Sequence, residues 1–123
     1  KKALLKNVVK KFESLVDYDV AEIVSASTYQ IGQVYRVLAQ DLMLSERPTT
    51  LTELQLEQYN ILLEEQAYPF EEKALDIYKL NLAKVPDGQF DKWIKLTYLV
   101  LKEMNPAEYK RQLKEISYAT DAY

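Results

Sequence analysis

The chain has 123 residues, a formal net charge of −3 and no cysteine or histidine. This composition excludes disulfides and thiolate or imidazole metal sites, and the acidic balance argues against nucleic acid as a partner. Apolar residues make up 48%, which is typical of a folded chain, and no apolar run reaches the about 20 residues that cross a bilayer. Two glycines and four prolines leave little material for β-hairpins, so the sequence predicts an all-α fold. The lack of a long apolar run predicts that the chain does not insert into a membrane.

The first predicted helix runs from Ala3 to about Val16. Apolar residues recur there at helical spacing, namely at Leu4, Leu5, Val8, Val9, Phe12 and Leu15. A break is predicted at residues 17–19, because Asp19 is a favourable N-cap for a second helix that ends near Ser45.

The third predicted helix begins near Thr52, where the spacings Thr50-x-x-Glu53 and Thr52-x-x-Gln55 both match a capping box. Its helical pattern continues to about Val85. Pro69 deletes one backbone hydrogen bond within it, which predicts a kink or a break near Tyr68.

Pro86-Asp87-Gly88 is a turn signal that separates the third and fourth predicted helices. The residues predicted to be buried on the fourth helix are Phe90, Trp93, Thr97, Val100, Leu101 and Met104. Asn105 and Pro106 then predict the start of a fifth helix. Its inward residues would be Tyr109, Leu113 and Ile116, and the tail after Ser117 is predicted to fray.

A longer pattern connects these helices. Thr28-x-x-Ile31-Gly32-x-x-Tyr35 is followed by Ala74-x-x-x-Tyr78 and by Pro86. This order of residue types resembles a tetratricopeptide (TPR) repeat. The resemblance implies that Gly32 and Ala74 are the small residues at a close helix crossing, that Ile31 and Tyr35 pack beside them, and that Pro86 ends the second helix of the pair.

The resemblance implies antiparallel TPR-like hairpins forming a fragment of an α–α superhelix. Trp93-x-x-Leu96-Thr97-x-x-Val100 repeats the first-helix pattern, and Val8-x-x-x-Phe12 resembles the second helix of an earlier repeat. Gly32 and Ala74 lie 42 positions apart, where the family spacing is about a dozen. The segment from about Asp41 to Phe70 is therefore read as an insertion that makes one hairpin unusually long. Residues 1–123 are predicted to be a single TPR-like domain, a fragment of a longer repeat protein.

Two stretches carry a narrower resemblance. Residues 29–35 and residues 62–74 look like those of large TPR proteins of Gram-negative bacterial envelopes, including ones associated with gliding motility. This implies a bacterial protein of the periplasm or cell envelope. The composition itself leaves the compartment open, because a chain without cysteine suits reducing and oxidising surroundings alike.

The candidate partner-binding residues share helical spacing on the second and fourth predicted helices. They are Tyr29, Gln33, Arg36 and Gln40, and Lys95, Tyr98 and Lys102, with Asp91 beside the second group. The TPR resemblance implies that these positions line a concave groove. Tyrosine offers contact area with a polar tip, and Arg or Lys pairs with acidic groups of a peptide. The alternative is a plain solvated face.

Catalysis and cofactor binding are not predicted. Glu57, Glu64 and Glu71 recur every seven residues, but a di-iron site in a bundle also uses histidine, so a solvated acidic face is expected. Because the chain has no histidine, a serine nucleophile would need a lysine as its base, and the serines lie in ordinary helical or turn contexts. The five lysines among the first eleven residues could pair with that acidic face, with a neighbouring repeat or with anionic lipid.

The sequence therefore predicts a protein–protein interaction scaffold, a TPR-like module of an envelope assembly with no enzymatic activity and no cofactor. Its partner would be a protein or peptide, and the helical repeats also allow self-association. The alternative is a purely structural spacer segment of a solenoid, or a non-repeat helical bundle, without a binding site of its own.

Overall fold

The structure, a computed structural model, describes residues 2–106. Three α-helices follow one another: α1 at Lys2–Leu44, α2 at Glu53–Leu82 and α3 at Lys92–Met104, with a 3-10 helix at Val85–Asp87 between the last two. No strand occurs among residues 2–106, which confirms the all-α prediction. The predicted fifth helix and its inward residues Tyr109, Leu113 and Ile116 lie outside the described residues.

The predicted break at residues 17–19 is wrong, because α1 is one helix of 43 residues. An aspartate in a helix interior costs less than about 1 kcal/mol, and no proline precedes Pro48. The apolar pattern also keeps its helical phase across the segment, from Val16 to Val20 and Ile23. The capping tendency of Asp19 is therefore outweighed by helix on both sides.

The capping box at the start of α2 is confirmed. The Gln55 backbone N–H donates to Thr52 Oγ1 over 3.2 Å, and the Thr52 N–H donates to Gln55 Oε1 over 3.0 Å. Pro69 lies inside α2 without breaking it. Pro69 and Glu65 are both exposed, so solvent can hydrogen-bond the carbonyl group that the proline leaves without its helical donor.

The turn predicted after α2 is present as the 3-10 helix Val85–Asp87. It ends at Gly88, whose φ of +88° lies in the left-handed region that glycine adopts without steric cost. Asp91 then caps α3, because its Oδ1 accepts from the N–H groups of Trp93 and Ile94 at 3.0 Å each. This sharp turn returns the chain against α1.

Helices α1 and α2 are antiparallel, since contacts that advance along α1 retreat along α2. Asn81 contacts Ser25, Tyr78 lies on Gly32, and Phe70 stacks on Tyr35 at 6.5 Å. Helix α3 lies against both and runs parallel to α1, from the contact of Trp93 with Tyr29 to that of Glu103 with Arg36. The core that the three helices share is formed by Ala74, Tyr78, Ile94, Tyr98, Val100 and Leu101.

The predicted inward face of α3 is confirmed for Thr97, Val100 and Leu101, which are buried, while Phe90, Trp93 and Met104 are half-buried. Ile31, which the TPR resemblance places in the packing, is 50% exposed. The reason is geometric: neighbouring residues of a helix point about 100° apart, and α2 covers the side of α1 that carries Gly32.

The first part of α1 has no neighbour within the described structure. Residues 2–20, called here the N-terminal arm, are all exposed. Helix α2 ends opposite Ser25, so the arm extends about 28 Å beyond the hairpin at the helical rise of 1.5 Å per residue. The apolar residues of the first predicted helix therefore form an open stripe.

Candidate functional site

The centre of the molecule is the contact between Gly32 of α1 and the ring of Tyr78 of α2. Tyr78 is completely buried. A Cβ atom on Gly32 would lie 2.5 to 2.9 Å from three carbons of that ring, closer than side-chain atoms pack. The close approach predicted at Gly32 is therefore present, and the Tyr78 ring occupies the space that the glycine leaves. Ala74, the predicted small partner, is also fully buried.

Tyr29 and Gln33, two of the predicted site residues, are bonded to this centre. The Tyr78 hydroxyl donates to Gln33 Oε1 over 2.8 Å, and Gln33 Nε2 donates to the Tyr29 hydroxyl, also over 2.8 Å. The Tyr29 ring lies 6.1 Å from the Tyr78 ring and 5.8 Å from the Trp93 ring, which suits tilted aromatic contacts. Both side chains are half-buried and hold α1, α2 and α3 together.

Arg36 joins α1 to α3. Its Nη2 lies 2.9 Å from Glu103 Oε2, and the Glu103 side chain is 70% exposed. Exposed ion pairs contribute about 0–1 kcal/mol, because solvent screens the charges. Arg36 therefore already has a carboxylate partner within the chain, and a peptide carboxylate would compete with Glu103 for it.

The remaining predicted site residues do not form one face. Tyr98 is 5% exposed and belongs to the core, so its prediction as a surface contact is wrong in this conformation. Its spacing matches Lys95 and Lys102, but α3 packs on two neighbouring helices and buries a wide sector. Asp91, expected beside them, is the buried cap of α3. Gln40 and Lys95 are exposed and Lys102 is half-buried.

A second polar cluster, which the sequence did not predict, connects the helices at the base of the arm. Asn81 is fully buried, and its Nδ2 donates to the Ser25 carbonyl oxygen over 3.0 Å and to Thr97 Oγ1 over 3.1 Å. Lys84 Nζ donates to Ser25 Oγ and to Asn81 Oδ1 over 3.2 Å each. No buried side-chain nitrogen or oxygen of the described residues lacks a partner.

Gln89 completes this cluster. Its Nε2 donates to the Ala21 carbonyl oxygen over 3.1 Å, to Ser25 Oγ over 3.0 Å and to Asp91 Oδ2 over 3.3 Å. The turn after α2 is thereby fixed to α1. A fully satisfied buried network of this kind favours one arrangement of the helices over others.

The pair of Ser25 and Lys84 has the composition of a serine nucleophile with a lysine base, but not the geometry. Burial lowers the pKa of Lys84, and Asp91 opposes that shift. Ser25 Oγ donates to the Ala21 carbonyl oxygen and accepts from both Lys84 and Gln89, so all its hydrogen-bonding capacity is used. Ser25 is also completely buried. A substrate carbonyl has no path to this oxygen, and the pair is structural.

The acidic residues Glu57, Glu64 and Glu71 are exposed on α2, as expected. Within residues 2–106 no cluster of three or more acidic side chains could hold a metal ion. None of the helices described is long and apolar enough to span a bilayer.

The exposed apolar side chains are concentrated on α1. In the arm they are Leu4, Leu5, Val8, Val9, Phe12, Leu15, Val16, Tyr18 and Val20, and in the hairpin they are Ile23, Val24, Ile31, Val34, Val37, Leu38 and Leu44. The sequence shows this stripe as helical periodicity. Periodicity does not reveal whether another element covers the stripe, and here none of the described elements does.

No family model matches the chain, and neither a curated protein nor a solved structure gives a significant match. The resemblance to TPR proteins and to the envelope proteins of gliding bacteria therefore stays a prediction.

The buried hydroxyl of Tyr78 makes stability depend on alkaline pH. Burial raises the pKa of Tyr78 from 10.0 to about 12, and Arg36 opposes the shift. The folded state thus favours the neutral phenol. The contribution of Tyr78 to the unfolding free energy is therefore complete below pH 10 and is lost as pH rises towards 12. We expect the parent to lose about 1 kcal/mol more of its unfolding free energy between pH 9 and pH 11 than Tyr78→Phe does.

Urea denaturation at the two pH values measures this difference. Tyr18→Phe is the matched control, because Tyr18 is 54% exposed on the arm and should behave as the parent does. Equal pH dependence in the parent and in Tyr78→Phe would contradict the assignment.

Proposed function

We propose that the chain is a protein-interaction module, a TPR-like hairpin in which a closed three-helix core presents the outer face of α1 to a protein partner. The observation that carries this proposal is the uncovered apolar stripe along α1. Soluble proteins seldom expose long contiguous apolar surfaces, and those that do generally use them for binding.

The stripe continues from the arm onto the hairpin. Ile31, Val34 and Leu38 are spaced by three and four residues and are 43 to 59% exposed. They lie on the side of α1 away from Gly32, which faces Tyr78. A partner helix or strand laid along α1 would cover them without moving α2 or α3.

The core supports rigid presentation of this face. Tyr78, Gln33 and Tyr29 are joined by hydrogen bonds, and Asn81 links all three helices through Ser25 and Thr97. A surface on a fixed scaffold loses less conformational entropy on binding than a mobile one does. Affinity can therefore come from a modest apolar contact.

The TPR-like character of the proposal is supported by the residues around Gly32. Gly32 and the buried Ala74 are small residues at a close helix contact, as the resemblance implies, although the ring seated on Gly32 is that of Tyr78 and not Tyr35. A bacterial envelope location and a larger repeat array remain parts of the proposal that rest on the resemblance alone.

Site-specific photocrosslinking in the protein's native cells tests the function. A benzophenone side chain is placed at Val34 on the stripe, at Lys95 on the predicted groove face, and at Leu80, a 61% exposed residue of α2. We expect an intermolecular adduct of one defined mass from Val34 and none from Leu80. An adduct from Lys95 would add the groove to the binding surface.

The alternative is a spacer segment whose stripe is covered only by other parts of its own chain. That arrangement predicts that Val34 forms crosslinks within one polypeptide and none between polypeptides. Equal intermolecular adducts from Val34 and Leu80 would likewise contradict a specific binding face.

A further inference from the structure

Six exposed apolar residues of the N-terminal arm, residues 2–20, are placed symmetrically about residue 10. Leu4 and Val16 are equally distant from residue 10. The same is true of Leu5 and Leu15, and of Val8 and Phe12. All six side chains are exposed. If a second copy of the arm is laid antiparallel about residue 10, these six apolar residues lie opposite one another, while Val9 lies opposite Lys11.

The charges beside the stripe are arranged about nearly the same centre, between residues 9 and 10, with opposite signs on its two sides. Lys2, Lys6, Glu13 and Asp17 are separated by four, seven and four residues, so at 3.6 residues per turn they share one side of the helix. In an antiparallel pair of arms, Lys2 faces Asp17 and Lys6 faces Glu13 of the other copy. In a parallel pair this flank would instead face the opposite flank of the other copy, so these lysines and carboxylates would not meet one another.

None of these four side chains forms an ion pair within the described part of the chain. Each is therefore available to a second molecule. Because a two-fold axis repeats every contact, the antiparallel arrangement creates each pair twice.

The hairpins of two such molecules, as far as residues 21–106 define them, begin beyond the ends of the paired arms. The hairpin begins at Ala21, where Gln89 bonds to the α1 backbone. In an antiparallel register centred on residue 10, residue 2 of one copy lies opposite residue 18 of the other, about 4.5 Å before the body begins. The two hairpins then lie at opposite ends of the paired arms.

From this complementarity we infer that the arm binds the arm of a second copy of this chain, as an antiparallel helix pair centred near residue 10. This contact adds to the proposed interaction module and uses a different part of α1 from Val34, so either can fail alone. An anionic membrane fits less well, because Glu13 and Asp17 lie on the same flank as the lysines.

Analytical ultracentrifugation of the full chain from about 1 to about 500 µM tests the inference. We expect a monomer–dimer equilibrium. Lys2→Glu with Lys6→Glu, and separately Glu13→Lys with Asp17→Lys, should each weaken dimerisation about tenfold or more, because all of the charge pairs become repulsive.

An equimolar mixture of these two double variants should form a heterodimer, since every pair is again opposite in sign. The quadruple variant with all four substitutions should dimerise as the parent does. Circular dichroism melting at low concentration should be unchanged in each, because the substituted residues are exposed.

Leu15→Ser provides the apolar test, with Leu80→Ser as its matched control. The two leucines are 62% and 61% exposed, one on the arm and one on α2. Only Leu15→Ser should weaken dimerisation, again by about tenfold.

Three results would overturn the inference. The first is a parent that stays monomeric over the whole range. The second is a pair of charge-reversed variants that dimerise as tightly as the parent, or whose mixture fails to associate. The third is a parent that stays monomeric but sediments with vesicles of anionic phospholipid, which would assign the arm to a membrane surface.

Discussion

Replacing Gly32 with leucine should destabilise the protein by about 3 kcal/mol or more. Even the first added atom would lie 2.5 Å from a ring carbon of Tyr78. The ring cannot swing away cheaply, because it is fully buried and its hydroxyl is bonded to Gln33. Relief requires α1 and α2 to separate, which would also disturb the contact of both helices with α3. Urea denaturation followed by circular dichroism measures the loss.

Gly32→Ala tests whether the first added carbon atom is already enough to cause the clash. Alanine stabilises an exposed helix interior by about 1 kcal/mol relative to glycine, yet at Gly32 we expect a net loss of about 1–3 kcal/mol. Gln30→Leu is the control on the exposed side of the same helix and should change stability by less than about 0.5 kcal/mol.

A double-mutant cycle with Tyr78→Ala assigns the loss to one contact. With the ring removed, Gly32→Ala should cost nothing, so the two substitutions should be strongly non-additive. Additive losses, or a Gly32→Leu variant that unfolds at the parent's urea concentration, would contradict the close packing of Gly32 on Tyr78.

The fold class and most helix ends follow from local chemistry. Thr52 with Gln55 fixes the start of α2 and Gly88 marks the turn, because a capping box and a left-handed glycine act within four residues. The wrong prediction of a break before Asp19 also came from a purely local signal. A good N-cap residue is a weak signal where helix-forming residues continue in phase on both sides.

The candidate site was predicted less well, because its residues are decided by contacts between distant parts of the chain. Tyr29 and Tyr98 have the spacing of an exposed face, but α3 folds back so that its Trp93 packs on Tyr29 and its own Tyr98 is buried in the core. The TPR resemblance places a small apolar residue at the position of the buried Asn81, and this departure is the sequence signal for the polar cluster. Periodicity identifies a face of a helix without identifying what covers it.

The second large effect is expected at Asn81. Asn81→Leu preserves the branched shape and the number of side-chain heavy atoms, and it removes the hydrogen bonds to the Ser25 carbonyl oxygen and to Thr97 Oγ1. It also removes an acceptor of Lys84 Nζ. A hydrogen bond between neutral groups contributes about 0.5–1.5 kcal/mol and one from a charged amine about 1.5–3 kcal/mol, so loss of the three bonds should cost about 3 kcal/mol or more. Asn7→Leu, on the exposed arm, should change the unfolding free energy by less than about 0.5 kcal/mol.

Substitutions at Lys84 test whether Asn81 belongs to a coupled hydrogen-bond network. Burial lowers the pKa of Lys84, which means that its charged form depends on nearby acceptors. In the Asn81→Leu background, the Lys84 amine has lost one of its acceptors. Replacing it with an apolar side chain, Lys84→Met, should then restore about 1 kcal/mol or more of the unfolding free energy. Lys84→Met alone should destabilise the protein. Because Asn81 contacts both α1 and α3, Asn81→Leu should also reduce hydrogen-exchange protection at the start of α3. A loss confined to α2, or no recovery with Lys84→Met, would mean that Asn81 only fills space at this junction.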